Sequence, residues 1–324
     1  MVMAQSLFKL IKDRSPQGSV DVLAPPWSSP ILRQMPEVRE AIDLPIGHGV
    51  LALGKRRHLA RSLRGAQYQQ AIVLPRSFKS ALVPWWARIP RRTGYLGELR
   101  YGLLNDRRTV DQRCLPRTVE RYVALGLEPK EPFPETFPLP NLQIDTAASA
   151  STLSRLCLTP GNQSVLVLCP GAAYGPAKRW PADYFGAVAQ AMLRQGWGVW
   201  VLGSQAEQAI AGAVCTAAGS GCVNLSGRTT LEQTLHLLAR ADGVVTNDSG
   251  LMHVAAALNR PVVAVYGSSD PVFTPPLSPR SRIERLGLSC SPCFARECPL
   301  GHTRCLQDLR PARVIETLQQ LLAQ

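Results

Sequence analysis

Asp248, Ser249 and Gly250 follow one another in TNDSGLMH (246–253), and His253 comes four residues after Ser249, on the same side of a helical turn. The apolar run GVVTND (243–248) ends on the aspartate, so the group stands where a strand gives way to a helix. Exposed N–H groups and the positive end of a helix dipole suit such a point to a diphosphate. Taken singly, Asp248 is equally well read as an N-cap and His253 as a satisfied buried histidine; their coincidence at one strand end favours chemistry. A second group is PGAAYGPAKRWP (170–181), in which Gly171 and Gly175 let backbone approach an anion and Lys178 offers a charge just ahead of a helix. No Gly-Lys-Ser/Thr closes it, so it is not a P-loop, and a structural loop explains it as well. A third is Gly203–Ser204 with Glu207, an acid placed to accept both hydroxyls of a ribose. On its own, Glu207 reads better as a helix-start acid.

Two further constellations carry charge or metal chemistry. From Lys55 to Arg108 there are thirteen Lys/Arg against two acids, Glu98 and Asp106, which accounts for almost the whole net charge of +13. Trp85, Trp86, Tyr95 and Tyr101 are interleaved with them. A solvated basic face is the bland reading; a field that attracts an anionic partner is the functional one. A nucleic-acid partner is not expected, because neither a recognition helix nor an aromatic RNA motif is present. Cys290, Cys293, Cys298 and Cys305 form C-x2-C-x4-C-x6-C with His302 inside. Four thiols at that spacing suit a structural zinc, a reversible disulfide, or a loop of four reduced cysteines.

These groups need a scaffold with strand ends on one side. SVLVLCP (164–170), GVWVLGS (198–204), CVNLSG (222–227), GVVTND (243–248) and PVVAVYG (261–267) read as five strands. Helical segments alternate with them: 181–195, from about Glu207, from Thr230 with a Thr230–Gln233 capping box, and from about Gly250. Near-continuous Val/Leu strands between helices mean a parallel sheet covered on both faces, which binds ligands at its carboxyl edge. The N-terminal half is similar but thinner. It has an amphipathic opening helix, a strand at 19–25, helical segments around 28–35 and 58–64, a strand at 70–75, and a helix at 77–86. EPKEPFPETFPLP (128–140) carries five prolines and resists helix and central strand alike. A boundary near residue 150 is expected, giving domains at 1–150 and 151–324. The N-terminus is no signal peptide, and no apolar run reaches the ~18 residues of a membrane span. A cytoplasmic address is expected, with the nine cysteines reduced or metal-bound.

KRWP (178–181), NDSGLMHVAAALNRP (247–261) and FTPPLS (273–278) closely resemble the donor domain of the lipopolysaccharide heptosyltransferases, glycosyltransferase family 9. MPEVREAI (35–42), SFKSALVPWWA (77–87), IPRRTGY (89–95) and RYGLLND (100–106) are similar to its heptosyltransferase II branch. The resemblance implies a GT-B architecture, two Rossmann-like doubly wound α/β domains facing across a cleft. It implies inverting, metal-independent transfer of L-glycero-D-manno-heptose from ADP-heptose to the first heptose of Kdo-lipid A. No cofactor is then required, and the enzyme is peripheral to the cytoplasmic face of the inner membrane. Lys178 matches the lysine that steadies the departing ADP. Asp248, Ser249, Gly250 and His253 match the motif holding diphosphate and heptose, with Gly171 in the same donor site. Glu207 matches the ribose-binding acid, and Thr229 lies near the adenine. Kdo carboxylates and core phosphates would be met by the basic window, above all by Lys79, Arg91, Arg92 and Arg100, since Arg grips such anions bidentately.

In one respect the sequence departs from the family pattern. Members open with a strand and a loop of the type Gly-Pro-Ser-Trp-Val-Gly-Asp, whose aspartate is the general base on the acceptor hydroxyl; here the chain starts at the helix beyond that loop. Asp13, at that helix's end, is no substitute. The expectation is therefore an N-terminal domain without its first, central strand, through a start codon placed too late, and a chain that binds ADP-heptose but transfers slowly. Its alternatives are a donor-binding remnant and a GT-B transferase using another nucleotide sugar.

Overall fold

The computed structural model describes residues 1–47, 49–158 and 161–324. It divides into two compact units, one mainly Met3–Arg33 with Glu37–Pro138 and the other mainly Leu139–Gln324 with Gln34–Pro36. The division falls inside the proline-rich segment, ahead of the boundary near residue 150 that composition suggests. The reason is the helix Thr146–Arg155, which packs on the helix Leu231–Arg240 of the second unit through a buried Thr152 Oγ1–His236 Nδ1 contact of 2.7 Å.

In the first unit the strands are β1 (Val20–Ala24), β2 (Val38–Asp43), β3 (Gln70–Val73), β4 (Arg91–Tyr95) and β5 (Asp106–Arg108). They form two parallel sheets, β1–β2 and β3–β4–β5. Among the described residues no strand pairs with both. Tyr68, just ahead of β3, donates to Asp21 of β1 at 2.5 Å. The opening helix is Gln5–Arg14, with Leu7 and Phe8 buried. The helix expected at 77–86 is split into a 3-10 turn, Phe78–Ala81, and a short α-helix, Leu82–Trp86.

The second unit holds β6 (Val165–Cys169), β7 (Gly198–Val201), β8 (Cys222–Asn224), β9 (Gly243–Asn247), β10 (Val262–Val265) and β11 (Ser281–Glu284). All five pairings are parallel, in the order β11-β10-β9-β6-β7-β8. The central strands β6, β9 and β10 are buried along their whole length, whereas β8 and most of β11 are only half-buried, so the apolar runs lie where helices cover both faces. Trp180, Phe185, Val188 and Met192 pack on β6 and β7 from one side, with the C-terminal helix Pro311–Leu322 adding Val314 and Leu318. From β6 the chain winds outward to β7 and β8; at β9 it returns to the other side of β6 and winds to β11. The strand order therefore reverses between β6 and β9, where an open parallel sheet forms its ligand crevice.

Candidate donor site

That crevice is where Lys178 and Asp248 meet. Lys178 ends the 3-10 turn Pro176–Lys178 beyond β6, and Asp248 comes directly after β9. Lys178 Nζ lies 2.5 Å from Asp248 Oδ2, the two side chains only 18% and 6% exposed. The ammonium also stands 5.0 Å from the centre of the Tyr174 ring, a cation–π contact. Trp180, two residues on, anchors the lysine. It is fully buried, donates its indole N–H to Leu309 O at 2.9 Å, and stacks edge-on against Phe185. Its backbone N–H donates to Asn247 Oδ1 at 3.0 Å, while Asn247 Nδ2 donates to Pro170 O at 2.7 Å. One buried amide thus ties the end of β9 to both ends of the Lys178 loop.

Asp248 is not the N-cap. Ser249 is, in extended conformation, and no side chain caps the helix Gly250–Ala257. The Ser249 hydroxyl instead approaches Thr246 Oγ1 at 3.3 Å. A Cβ on Gly250 would meet nothing within 4 Å, so the first turn opens onto space. Uncapped N–H groups with an ammonium beside them favour an anion there. His253 Nδ1, Ser226 Oγ, Ser268 Oγ and Ser269 Oγ are buried without a hydrogen-bond partner, and the three serines all stand just beyond the carboxyl ends of β8 and β10. A ligand with several hydroxyl and phosphoryl groups would satisfy such atoms.

Burial holds the His253 imidazole well below its usual range, to about 4, with Asp248 opposing and Lys178 adding to the shift. His253 is therefore neutral at pH 7 and is not a cation. Its unfolded counterpart binds a proton near 6.5, so the contribution of His253 to stability is constant above that pH, falls as the pH drops toward 4, and levels off below. His253→Gln should remove this segment: the difference in urea-unfolding free energy between variant and wild type should change by about 2 kcal/mol between pH 7 and 4.5. A pH-independent difference would mean that the imidazole is not held neutral.

Gly171 and Glu207 are brought together at the neighbouring strand ends, since a Cβ on Gly171 would fall 1.9 Å from Glu207 Oε1. Glu207 is indeed a capping-box acid: Ser204 N and Oγ both donate to its Oε2 at 2.8 Å. Both bonds use Oε2, which leaves Oε1 on the Gly171 side. Thr229 lies beyond β8 with its hydroxyl 3.0 Å from Thr234 Oγ1, and the expected Thr230–Gln233 capping box opens the next helix. Gly175 serves a different purpose from the one its sequence suggests. A Cβ there would fall 2.4 Å from Arg296 O, so this glycine admits a neighbouring loop, not an anion. Arg296 makes a second cation–π contact with Tyr174, at 5.5 Å. Neither Tyr174 nor Arg296 is marked by sequence; both matter through a tertiary contact 122 positions apart.

Of the four expected acceptor cations, three are engaged inside the first unit. Arg100 is fully buried, donating to the carbonyls of Tyr95 and Pro75 and to Ser80 Oγ. It is a structural clamp and is corrected from an acceptor contact on that ground. Arg91 forks onto Glu128 at 2.8 Å and also bonds Asp106 at 3.0 Å. Arg92 donates to Leu103 O and Ile89 O at 2.7 and 2.6 Å. Lys79 is half-buried, and among the described residues no hydrogen bond or ion pair engages it. Arg56, Arg64, Arg76 and Arg108 of the same window also bond backbone carbonyls. Five N–H donors on one planar group make Arg a clamp for irregular chain, and a count of charge does not separate that use from anion binding.

The glycosyltransferase family 9 (heptosyltransferase) model matches residues 56–304. Lipopolysaccharide heptosyltransferase 2 of Escherichia coli K12 is 45% identical, over all of this chain and 95% of that protein. Lipooligosaccharide heptosyltransferase 2 of Haemophilus ducreyi is 42% identical, over all of this chain and 96% of that one. The solved structure of E. coli ADP-heptose lps heptosyltransferase II superposes with a TM-score of 0.89 at 42% identity, covering 100% of this chain and 95% of that one. An E. coli heptosyltransferase solved with ADP shares the fold at 19% identity, with a TM-score of 0.70 over 98% of this chain and 97% of that one. By sequence and fold together, the chain belongs to glycosyltransferase family 9, the heptosyltransferases.

Proposed function

We propose that this protein transfers L-glycero-D-manno-heptose from ADP-heptose to the first heptose of a Kdo-containing lipopolysaccharide core, with inversion and without a metal at the diphosphate. The observation that carries the reading is the Lys178–Asp248 pair beside the uncapped helix Gly250–Ala257. In a single displacement the acceptor hydroxyl oxygen attacks the anomeric carbon and its proton passes to a base. The bond to the diphosphate breaks, and ADP leaves with the electron pair; one displacement inverts the configuration. Negative charge grows on the diphosphate as that bond breaks. Lys178 and the N–H groups at 250–252 are preset to meet it, which is the service a divalent metal would otherwise give. Asp248 can turn its carboxylate from the ammonium to a heptose hydroxyl once the diphosphate takes its place. Glu207 Oε1 and the serine hydroxyls suit the ribose and the sugar.

The acceptor is lipid-anchored, which places the work at the cytoplasmic face of the inner membrane. Exposed Val50, Leu51 and Leu53 next to Lys55, Arg57 and Arg61 of the helix Leu53–Ser62 suit contact with an anionic surface, and Lys79 is available to the core. Among the described residues no helix is long and apolar enough to cross a membrane. The reading is tested by titrating the protein with ADP-heptose, ADP-glucose and UDP-N-acetylglucosamine, then assaying transfer to a one-heptose Kdo-lipid A acceptor with and without added magnesium or manganese. Tight binding of ADP-heptose alone, and an inverted anomeric centre in the product by NMR, are expected. Equal affinity for the UDP-sugar, or transfer seen only when magnesium or manganese is added, would overturn it.

A further inference from the structure

Residues 285–303 contain no helix or strand, yet they are threaded between the two loops that carry the donor site. Ala177 N donates to Arg296 O at 3.0 Å, and the Tyr174 hydroxyl donates to Phe294 O at 2.6 Å. On the other side, Cys293 N and Phe294 N donate to Ser268 O at 3.1 and 2.7 Å, and Ser291 Oγ donates to Gly267 O at 2.6 Å. The segment therefore sets where Gly175 and Lys178 lie. It has little apolar anchorage of its own, with Phe294 and Leu300 54% and 61% exposed. An irregular stretch of this length inside a compact unit needs another restraint.

The four cysteines supply its chemistry. Cys290, Cys293, Cys298 and Cys305 line one cavity of about 20 Å³, together with Ala177 and Ser268. That cavity is large enough for a single small occupant. Cys298 Sγ accepts the backbone N–H of Thr303 at 3.4 Å, and the left-handed backbone at Gly301 (φ 70°) and Thr303 (φ 44°) wraps the chain around this sulfur. Backbone N–H groups aimed at sulfur compensate thiolate charge and orient it as a ligand. In the described residues no three of these side chains yet converge on one point, so ligation requires side-chain rotation, which exposed Cys293 and half-buried Cys290 are free to make.

We propose that Cys290, Cys293, Cys298 and Cys305 bind one zinc-type divalent cation, and that this ion braces the loop against Gly175–Lys178. Once side-chain rotation brings them onto one point, four soft sulfur ligands make the tetrahedral set that suits zinc. As each metal–sulfur bond forms the thiol proton passes to solvent, so the ion replaces four protons and no electron changes hands. The ion lies outside the transfer chemistry. The bracing half rests on the donor reading given above, whereas the metal half does not.

The test uses the full chain purified under reducing conditions and desalted without chelator. About one zinc per chain is expected, released as an organomercurial titrates the cysteines. Cobalt substituted for it should give the strong visible absorption of a tetrahedral thiolate site. Cys298→Ser and Cys305→Ser should lose the metal, while Cys114→Ser, at an exposed thiol elsewhere, should keep it. Removing the metal should weaken ADP binding about tenfold by loosening Lys178. Less than about 0.1 zinc per chain with all four thiols titrating, or with thiols lost to disulfides, would overturn the site. Bound zinc whose removal leaves ADP affinity unchanged would overturn the brace. A wild-type protein that binds zinc but no ADP would instead count against the donor reading.

Discussion

Replacing Lys178 by Met should lower kcat about 10²–10³-fold, the effect of removing one preset group that stabilises transition-state charge. KM for the donor should rise less, because the diphosphate already carries charge in the ground state and the helix Gly250–Ala257 still faces it; the additional charge of the departing ADP appears only as the bond breaks. The single variant also leaves Asp248, 6% exposed, without its ammonium and next to an incoming anion. Part of the loss would then be repulsion. The double variant Lys178→Met/Asp248→Asn separates the two: if repulsion contributes, donor affinity should recover in the double variant while kcat stays low. Because the residues share one ion pair, their effects on turnover should fall short of additive. A Lys178→Met protein keeping more than about a third of wild-type kcat would remove the lysine from the chemistry, since that loss is below 1 kcal/mol.

The second unit was largely legible because its chemistry and its scaffold share one pattern. Its Val/Leu runs are the buried β6, β9 and β10, and the two loaded strand ends flank the reversal of strand order. What the pattern could not convey was which reading of each residue holds. Asp248 pairs with Lys178 and is not the cap, while Glu207 is a cap acid that also overhangs Gly171. In the first unit less was legible. β4, RRTGY, and β5, DRR, are polar strands of a small sheet, and β11, SRIE, is an edge; none alternates strongly enough to declare itself. Asn247 carries no charge or spacing that sets it apart from its motif neighbours, although its buried amide holds the site's two sides together. The arginines were the least legible residues, because burial and carbonyl partners are properties of the folded chain.

Arg100 puts that last point to a quantitative trial. It binds the carbonyl of Tyr95, at the end of β4, and those of Pro75 and Ser77, beyond the end of β3, so one guanidinium joins two strand ends. Gly94 keeps the space beside it narrow: a Cβ there would lie 3.1 Å from Val73 O, 3.2 Å from Leu104 Cδ1 and 3.4 Å from Arg100 Nη2. Burial pushes the pKa of Arg100 down, with Arg76 adding to the shift and Glu98 opposing it; the group stays charged because an arginine starts so high. Arg100→Met fills similar space but strips its donors from the buried Tyr95 carbonyl, while the Pro75 and Ser77 carbonyls keep the Ser80 hydroxyl, so the first unit should lose about 1–3 kcal/mol of stability. Arg100→Lys should recover little of it, because an ammonium cannot fork across both strand ends. Amide hydrogen exchange of β3 and β4, both in the first unit, followed at increasing urea reads the loss directly. Lys79→Ala is the counterpart, expected to change stability by less than about 0.5 kcal/mol while raising KM for the acceptor. The two variants should therefore fail in opposite assays. An Arg100→Met protein of unaltered stability with a raised acceptor KM would return Arg100 to the acceptor site and displace the clamp.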